Sequence, residues 1–503
     1  MSDDVLGGGP MENRELSTYP LPAGTTTTWT PAAPEEAWRA DDRELSHDHA
    51  AHLVSGSEGS WIGCIFRVPI AYDAGAVRRA LRAWVARHEG LRTTVRPAVD
   101  PRADATSPAR PEPASPWRRE TCVPEGVDVV AGTPVRHAEA DGVRAELLET
   151  FARVRPTRWP HLLFATVEPD DDRTGFLLAF GADHSVMDGY SQVLWFEEIL
   201  TLYRRALAGD TDRELARTDA GSHVDFASFD RSLGRLLTRH DAAVVAWRDF
   251  LAPDGDPSGP PTFPRYPDPA LAEMGETPGP WQESYYAPLL DADQTDAANR
   301  WTRSLGTGLQ ALVIGALAAT ICEQADTDRL DFVLPVHTRH EARYATAIGW
   351  FVGISPVRLD LSGTETLADV VERTQGVMAS VKHVAPKPFP RIAELLGVRD
   401  APRFAISYAD VRHTPGSKQW EEWEACTLRS PARNAEEVYF WVIRSPQGLG
   451  VAARCPSGIV AAERMHALLD AYRDLLRSAV RAQGAGAVRA VPATAGLSER
   501  VPA

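Results

Sequence analysis

The sequence predicts an α/β protein of two packed units, and three observations carry that prediction. The chain has 503 residues, more than one ordinary core accommodates, so two units of roughly 200 residues each are expected. Apolar runs of strand length alternate with helix-period stretches in both halves. A Pro-rich passage, PDGDPSGPPTFPRYPDPALAEMGETPGP (253–280), falls between them. Residues 1–43 are expected to be an N-terminal tail, 44–252 a first unit, 253–281 a linker, 282–484 a second unit and 485–503 a C-terminal tail. A second Pro-rich passage, RPAVDPRADATSPARPEPASP (96–116), reads as a long surface loop inside the first unit.

In the first unit WIGCIFRVPI is a strand, and the stretch opening at Asp73 is a helix. Asp73 is its expected N-cap, and Val77, Ala80, Leu81, Trp84 and Val85 fall on one buried face. HLLFATV and GFLLAFGAD are strands, and YSQVLWFEEILTLYRRALAG is a long helix stopped by Gly209. The second unit places helices at LGTGLQALVIGALAATICEQ, TLADVVERTQGVMASV and AAERMHALLDAYRDLLRSAV. Strands DFVLPVH, GWFVGISPVRLDL, RFAISYADV, VYFWVIR and GLGVAARC complete it. Met465, Leu468, Leu469, Tyr472, Leu475 and Leu476 form one apolar stripe on the last helix.

The composition, 44% hydrophobic and 24% charged, is that of a globular domain, and no apolar run approaches the roughly 18 residues that span a bilayer. The opening MSDDVLGGGPMENRELSTYP has no apolar core of a secretory signal, so a cytoplasmic location is expected. The five cysteines, Cys64, Cys122, Cys322, Cys426 and Cys455, are scattered and unpaired in pattern, as buried free thiols would be. A net charge of -16 disfavours nucleic acid, while a local basic patch would suffice for a small anion.

GADHSVMDGYS (181–191) stands where a buried strand hands the chain to a helix, the place where α/β proteins concentrate chemistry. His184 sits at that strand end, and Gly189 is expected to allow a turn that other residues resist. A neutral imidazole there can take a proton from an attacking hydroxyl or amine. The residues alone are also those of an ordinary satisfied histidine in a turn. Asp188 lies past the turn, which favours a buried salt bridge to an arginine of the other half over a second base.

The segment resembles the HHxxxDG motif of the chloramphenicol-acetyltransferase-like superfamily, which includes condensation domains of nonribosomal peptide synthetases and polyketide-associated acyltransferases. Further matches occur in order from about Leu45 to Ala479. LSHDHAAHL (from Leu45) is similar to the LSxxQ-type opening motif, RHEGLRTTV (from Arg87) to the RHExLRT segment, and HVDFASF (from His223) to the aromatic motif after the active-site helix. IGWFVGISPVRLDL (from Ile348) resembles the vGxFvNxxplR strand, and SYADVRHTPG (from Ser407) the SYLDxRxxPG pattern of the free-standing branch.

The resemblance implies two chloramphenicol-acetyltransferase-like α/β sandwich subdomains in a V-shaped pseudodimer. Acyl donor and acceptor would enter a channel between them from opposite faces and meet at His184. It implies that Asp188 is structural and pairs with Arg339. One departure is plain: the motif's first histidine is Asp183, in the family a shape-keeping position. As an anion beside His184 it is expected to raise the imidazole pKa. Gly189 and its neighbours are candidates for backbone N–H groups facing the oxyanion.

Other groups have plainer roles to set beside the functional ones. His47, His49 and His52 lack the carboxylate or distant Cys/His partner of a metal site, so no metal is expected. Glu197 and Glu198, adjacent on a helix, point apart and read as a solvated edge. Trp420 and Trp423 either lid the channel or pack. Arg78, Arg79, Arg82 and Arg87 are either a solvated helix face or a dock for an acidic carrier protein. Ser407 and Tyr408 are candidate channel-lining donors.

The expected function is a stand-alone condensation enzyme or acyltransferase. It would move an acyl group from a carrier-protein or CoA thioester to an amine or alcohol, in natural-product or lipid biosynthesis. The phosphopantetheine thioester is substrate, with no bound cofactor. No acyl-enzyme is expected, since there is no GxSxG elbow or activated cysteine pattern; the donor is loaded elsewhere, since no LGxxS carrier site is present. The alternatives are a silent relative that recruits carrier-bound partners, and an epimerase or dehydratase acting on a tethered chain.

Overall fold

The computed structural model describes residues 11–55, 60–98, 116–171, 173–252, 259–264, 281–431, 436–456, 460 and 462–481. The first half supplies strands β1 (Glu12–Glu15), β2 (Gly24–Ala32), β3 (Trp38–Asp41), β4 (Ile62–Val68) and β5 (Thr93–Pro97). It continues with β6 (Trp117–Cys122), β7 (Asp128–Ala131), β8 (Val135–His137), β9 (Leu162–Pro169) and β10 (Phe176–Ala182). The second half supplies β11 (Gln282–Asp291), β12 (Arg329–His337), β13 (Val352–Asp360), β14 (Phe404–Asp410), β15 (Cys426–Arg429), β16 (Val438–Ser445) and β17 (Gly448–Pro456). They form an eight-stranded sheet in the order β1-β15-β4-β10-β9-β2-β7 with β8 also on β2, a six-stranded sheet β11-β17-β16-β14-β12-β13, and a small sheet β3-β6-β5.

Helices α1 (His47–Ser55), α2 (Ala74–Arg87), α3 (Ala140–Phe151), α4 (Gly189–Leu207), α5 (Asp212–Leu215), α6 (His223–Leu236) and α7 (Ala242–Leu251) lie in the first half. The second half carries α8 (Ala292–Ser304), α9 (Leu309–Ala325), α10 (Leu367–Val381), α11 (Phe389–Leu396) and α12 (Ala462–Arg481). Asp73 caps α2 by accepting from Ala76 N at 2.7 Å, and Val77, Ala80, Leu81, Trp84 and Val85 are all buried. Beyond α4 the chain turns at Gly209 with φ +91°, a conformation that costs glycine no Cβ clash. On α12 Met465, Leu468, Leu469, Tyr472 and Leu476 enter the second core, and Tyr472 donates to Val313 O of α9 at 3.0 Å. Among the described residues no single helix is long and apolar enough to cross a membrane.

Two boundaries differ from the expectation. Residues 11–43 are not a tail: β2 pairs β9 on one side and β7 on the other, with Leu16, Tyr19 and Trp29 buried. GTTTTWTPA reads as polar by hydropathy, yet threonine is β-branched and suits a pleated surface; buried Thr166 accepts the Trp29 indole N–H at 3.0 Å. Nor does the second unit keep to itself, because β15 leaves it to lie parallel to β1 and antiparallel to β4 in the first sheet. Residues 99–115, most of the expected linker and the whole of 485–503 lie outside the described residues.

The segment leading into β15 is anchored by aromatic packing. Trp420 and Trp423 are buried in the first core, with Trp420 5.9 Å from Phe196 and Trp423 6.1 Å from Phe66, ring centre to ring centre. They are therefore packing residues and not a lid. Trp423→Ala is expected to cost about 3–5 kcal/mol of unfolding free energy, read as a lowered urea midpoint. An unchanged midpoint would contradict this anchoring.

Candidate active site

Two aspartates shape the turn after β10. Asp183 N donates to His161 O at 2.8 Å, and its own Oδ1 accepts from Ser185 N at 2.8 Å, capping the short turn His184–Val186. Five residues on, Asp188 Oδ1 accepts from Ser191 N at 2.7 Å and caps α4. Each carboxylate thus satisfies backbone donors that a helical turn leaves orphaned. Gly189 is the exposed first residue of α4 and has no left-handed φ. An added Cβ there would meet only Gln192 Oε1, at 3.8 Å. The expected conformational demand on Gly189 is therefore absent, since the Asp188 cap makes the turn instead.

Asp188 and Arg339 come together from the two halves. Arg339 donates through Nη1 to Asp188 Oδ2 at 2.6 Å and through Nη2 to Oδ1 at 3.1 Å, with side chains 4% and 0% exposed. Arg339 Nη2 also reaches Ser191 Oγ at 2.8 Å and Ala347 O at 3.1 Å. Phe351 N donates to Asp188 Oδ2 at 2.9 Å, and the guanidinium lies 4.3 Å from the Phe351 ring centre. Burial alone would raise the Asp188 carboxyl; the Arg339 charge and the hydrogen bonds from Arg339, Phe351 and Ser191 outweigh it and hold the group below the usual carboxylate range.

His184 is partly exposed, its Nδ1 buried without a hydrogen-bond partner. Its ring lies 4.2 Å from that of Trp350 and 6.5 Å from that of His52. His52 Nε2 is 3.0 Å from Asp183 Oδ1. Burial would push Asp183 up, but the hydrogen bond and charge of His52, with the Ser185 bonds, bring it down to about 2. For His184 burial dominates and lowers the imidazole; His52 adds to this, and the opposing pull of Asp183 is the weakest contribution. The upward pull expected of Asp183 is present, but burial and His52 outweigh it and the imidazole is lowered overall.

The remaining candidates separate. Ser407 and Tyr408 are successive on β14 and so point to opposite faces; Tyr408 follows Phe404 and Ile406 onto the second core, where burial pushes its hydroxyl up to about 12. Tyr408 therefore does not line a channel, and Ser407 lies on the other face with Ala405 and Ala409. Glu198 is no solvated edge: it accepts from Arg87 at 3.0 Å and Trp84 Nε1 at 3.0 Å and lies 2.8 Å from His88 Nε2. Those contacts hold it, against burial, at about 2. Glu197 accepts from Thr201 Oγ1 at 3.3 Å.

The arginines of α2 are engaged within the fold, not a free dock. Arg78 pairs with Asp128 at 2.6 Å, Arg79 and Arg82 with Asp212 at 3.0 and 2.9 Å, and Arg87 with Glu198. His47, His49 and His52 do not converge: His47 Nδ1 faces Arg231 at 3.2 Å while His52 faces Asp183. Sequence reasoning missed His52 as the partner of Asp183 and Trp350 as the ring against His184. The signals were present in the quoted LSHDHAAHL and IGWFVGISPVRLDL segments, but the contacts span 131 and 166 positions.

The Condensation domain family matches residues 274–407 of the chain. Acyltransferase PapA3 of Mycobacterium tuberculosis is 22% identical over 495 residues, 94% of this chain and 98% of that one. The solved PapA2 acyl transferase superposes with a TM-score of 0.76 at 20% identity, covering 93% of this chain and 99% of that chain. The condensation domain of the Monacolin K polyketide synthase MokA gives 0.66 at 17% identity, covering 92% and 99%.

Arg339→Ala is expected to destabilise the protein by about 3–5 kcal/mol, because it strands the Asp188 charge in the interior; an unchanged melting temperature would contradict that. Asp183, with its carboxyl held at about 2 against an ordinary 3.8, contributes stability present above the ordinary value and lost as pH falls toward 2. Asp183→Asn is therefore expected to flatten the acid side of the stability profile between these values, and an unchanged slope would contradict it.

Proposed function

We propose that the chain is a member of the chloramphenicol-acetyltransferase-like superfamily of condensation domains and PapA-type acyltransferases, which it resembles, and that it carries out a direct acyl transfer with His184 as the base. The donor is an acyl thioester on the phosphopantetheine arm of a carrier protein or of CoA. The acceptor is an alcohol or amine of a lipid or other natural product, and the product an ester or amide.

The observation that carries this reading is a histidine at the end of β10, set 4.2 Å from the Trp350 ring on a turn fixed by two capping carboxylates, where burial lowers the imidazole and so favours its neutral form. A neutral imidazole accepts the proton of the attacking hydroxyl or amine as its oxygen or nitrogen bonds to the thioester carbon. Collapse of the tetrahedral adduct breaks the C–S bond, and the proton held on His184 passes to the departing sulfur. Transfer without an acyl-enzyme is supported by the cysteines: all five are buried, and burial raises their thiols, which suppresses the thiolate nucleophile. Asp183, in place of the motif's first histidine, still caps the turn and pairs with His52. That supports a working enzyme over a silent recruiting protein.

His184→Ala is expected to lower turnover by about 100- to 10,000-fold with the fold retained, and equal rates would sink the assignment. Because burial favours the neutral ring, the acid limb of kcat/KM is expected to fall below pH 6.5, the ordinary histidine value, with full activity above it. A limb centred at or above that pH would contradict the environment described for His184.

A further inference from the structure

Among the described residues, Arg429 and Arg454 bring two guanidinium groups together with no carboxylate in ion-pair contact. Arg429, the last residue of β15, is 4% exposed. Its Nε and Nη1 have no hydrogen-bond partner, and its Nη2 reaches only Ala453 O, at 3.5 Å. Arg454 of β17, whose Nε is likewise buried and unpartnered, is a cation whose charge acts on Arg429. Burial, followed by the like charge of Arg454, brings Arg429 down to about 9. Burial also lowers Arg454. Both guanidinium groups lie over the Trp441 ring, at 4.9 and 5.8 Å, and Tyr439 stacks on Trp441 at 5.4 Å.

Two acids face the pair, Glu15 and Glu437, and neither forms an ion pair with Arg429 or Arg454 among the described residues. Glu15 Oε1 accepts from Ser284 Oγ at 2.6 Å. A buried guanidinium without a carboxylate is costly, and a planar donor fork beside a second one is the arrangement that grips an oxyanion. The sheet register ties this cluster to the candidate base. Ala182 pairs with Ile62, and Ile62 pairs with Arg429. Arg429 therefore starts about 10 Å, two strand spacings, from Ala182, two residues before His184.

We propose that Arg429 and Arg454, backed by Trp441, bind an oxyanion (a carboxylate, sulfate or phosphate group) carried by a substrate of the His184 site. The placement beside that site rests on the acyl-transfer reading; the anion binding does not. Two sources offer this chemistry: an acidic group on the acceptor or acyl chain, and the phosphate of the phosphopantetheine arm.

Thermal unfolding at constant ionic strength tests it, with sodium sulfate, inorganic phosphate, pantetheine and 4′-phosphopantetheine titrated against chloride. The wild type is expected to show saturable stabilisation by sulfate or phosphate beyond that of chloride. Arg429→Gln and Arg454→Gln each weaken it about tenfold or more, the loss of one charge-assisted bond. Stabilisation by 4′-phosphopantetheine but not pantetheine assigns the cluster to the arm; a response to the inorganic anions alone assigns it to the acceptor or acyl chain. Equal responses of wild type and variants, or no excess over chloride, overturn the proposal. Should Arg429→Gln fail to fold, the more exposed Arg454→Gln decides. The readout is binding, so a failure of the acyl-transfer reading would not be mistaken for a failure of this one.

Discussion

The ion pair between Asp188 and Arg339 is the constraint on which the site depends. It joins residues 151 positions apart, one from each half, and both side chains are removed from water. Asp188 takes four donors, two from Arg339 and one each from Ser191 N and Phe351 N, so the start of α4 and the entry to β13 are held by one carboxylate. Trp350, adjacent to Phe351, is thereby set against His184. Charges this deeply buried repay their desolvation best when their hydrogen-bonding groups are satisfied; the Asp188 carboxylate reaches that state, while Arg339 Nε is buried without a partner.

The same balance of burial against charge acts on His184, the proposed base. His52 lowers the His184 imidazole while Asp188 and Asp183 raise it, and burial is the largest contribution. Desolvation then decides, and it favours the neutral ring. A histidine that must accept a proton near neutrality is served by that outcome. The halves are laced a second time by β15, which carries Arg429 from the second half into the first sheet.

Much of this was legible in the chain, for identifiable reasons. The strand β10, the turn and α4 were readable because a fully apolar run ends in two aspartates, each able to cap a helical turn. The pairing of Asp188 with a distant arginine followed from its position, whereas Arg339 was named only through the family resemblance. The strands within 11–43 were hidden because the threonine-rich run of β2 reads as polar, with Thr26 and Thr27 buried all the same, and because β1 finds its partner more than 400 positions away in β15. Ser407 and Tyr408 cannot both line one channel, because the two-residue period of a strand parts them. The engagement of Glu198 and of the α2 arginines depends on tertiary neighbours that no local pattern reports.

Direct transfer from a thioester to an acceptor is tested most directly by following thiol release and product mass. Acyl-CoAs and acyl-loaded carrier proteins would be offered with and without amine and alcohol acceptors. Direct transfer predicts release that requires the acceptor and yields the corresponding ester or amide, with no acylated protein in the intact mass. Release without acceptor, or a covalent acyl adduct on the chain, would contradict it.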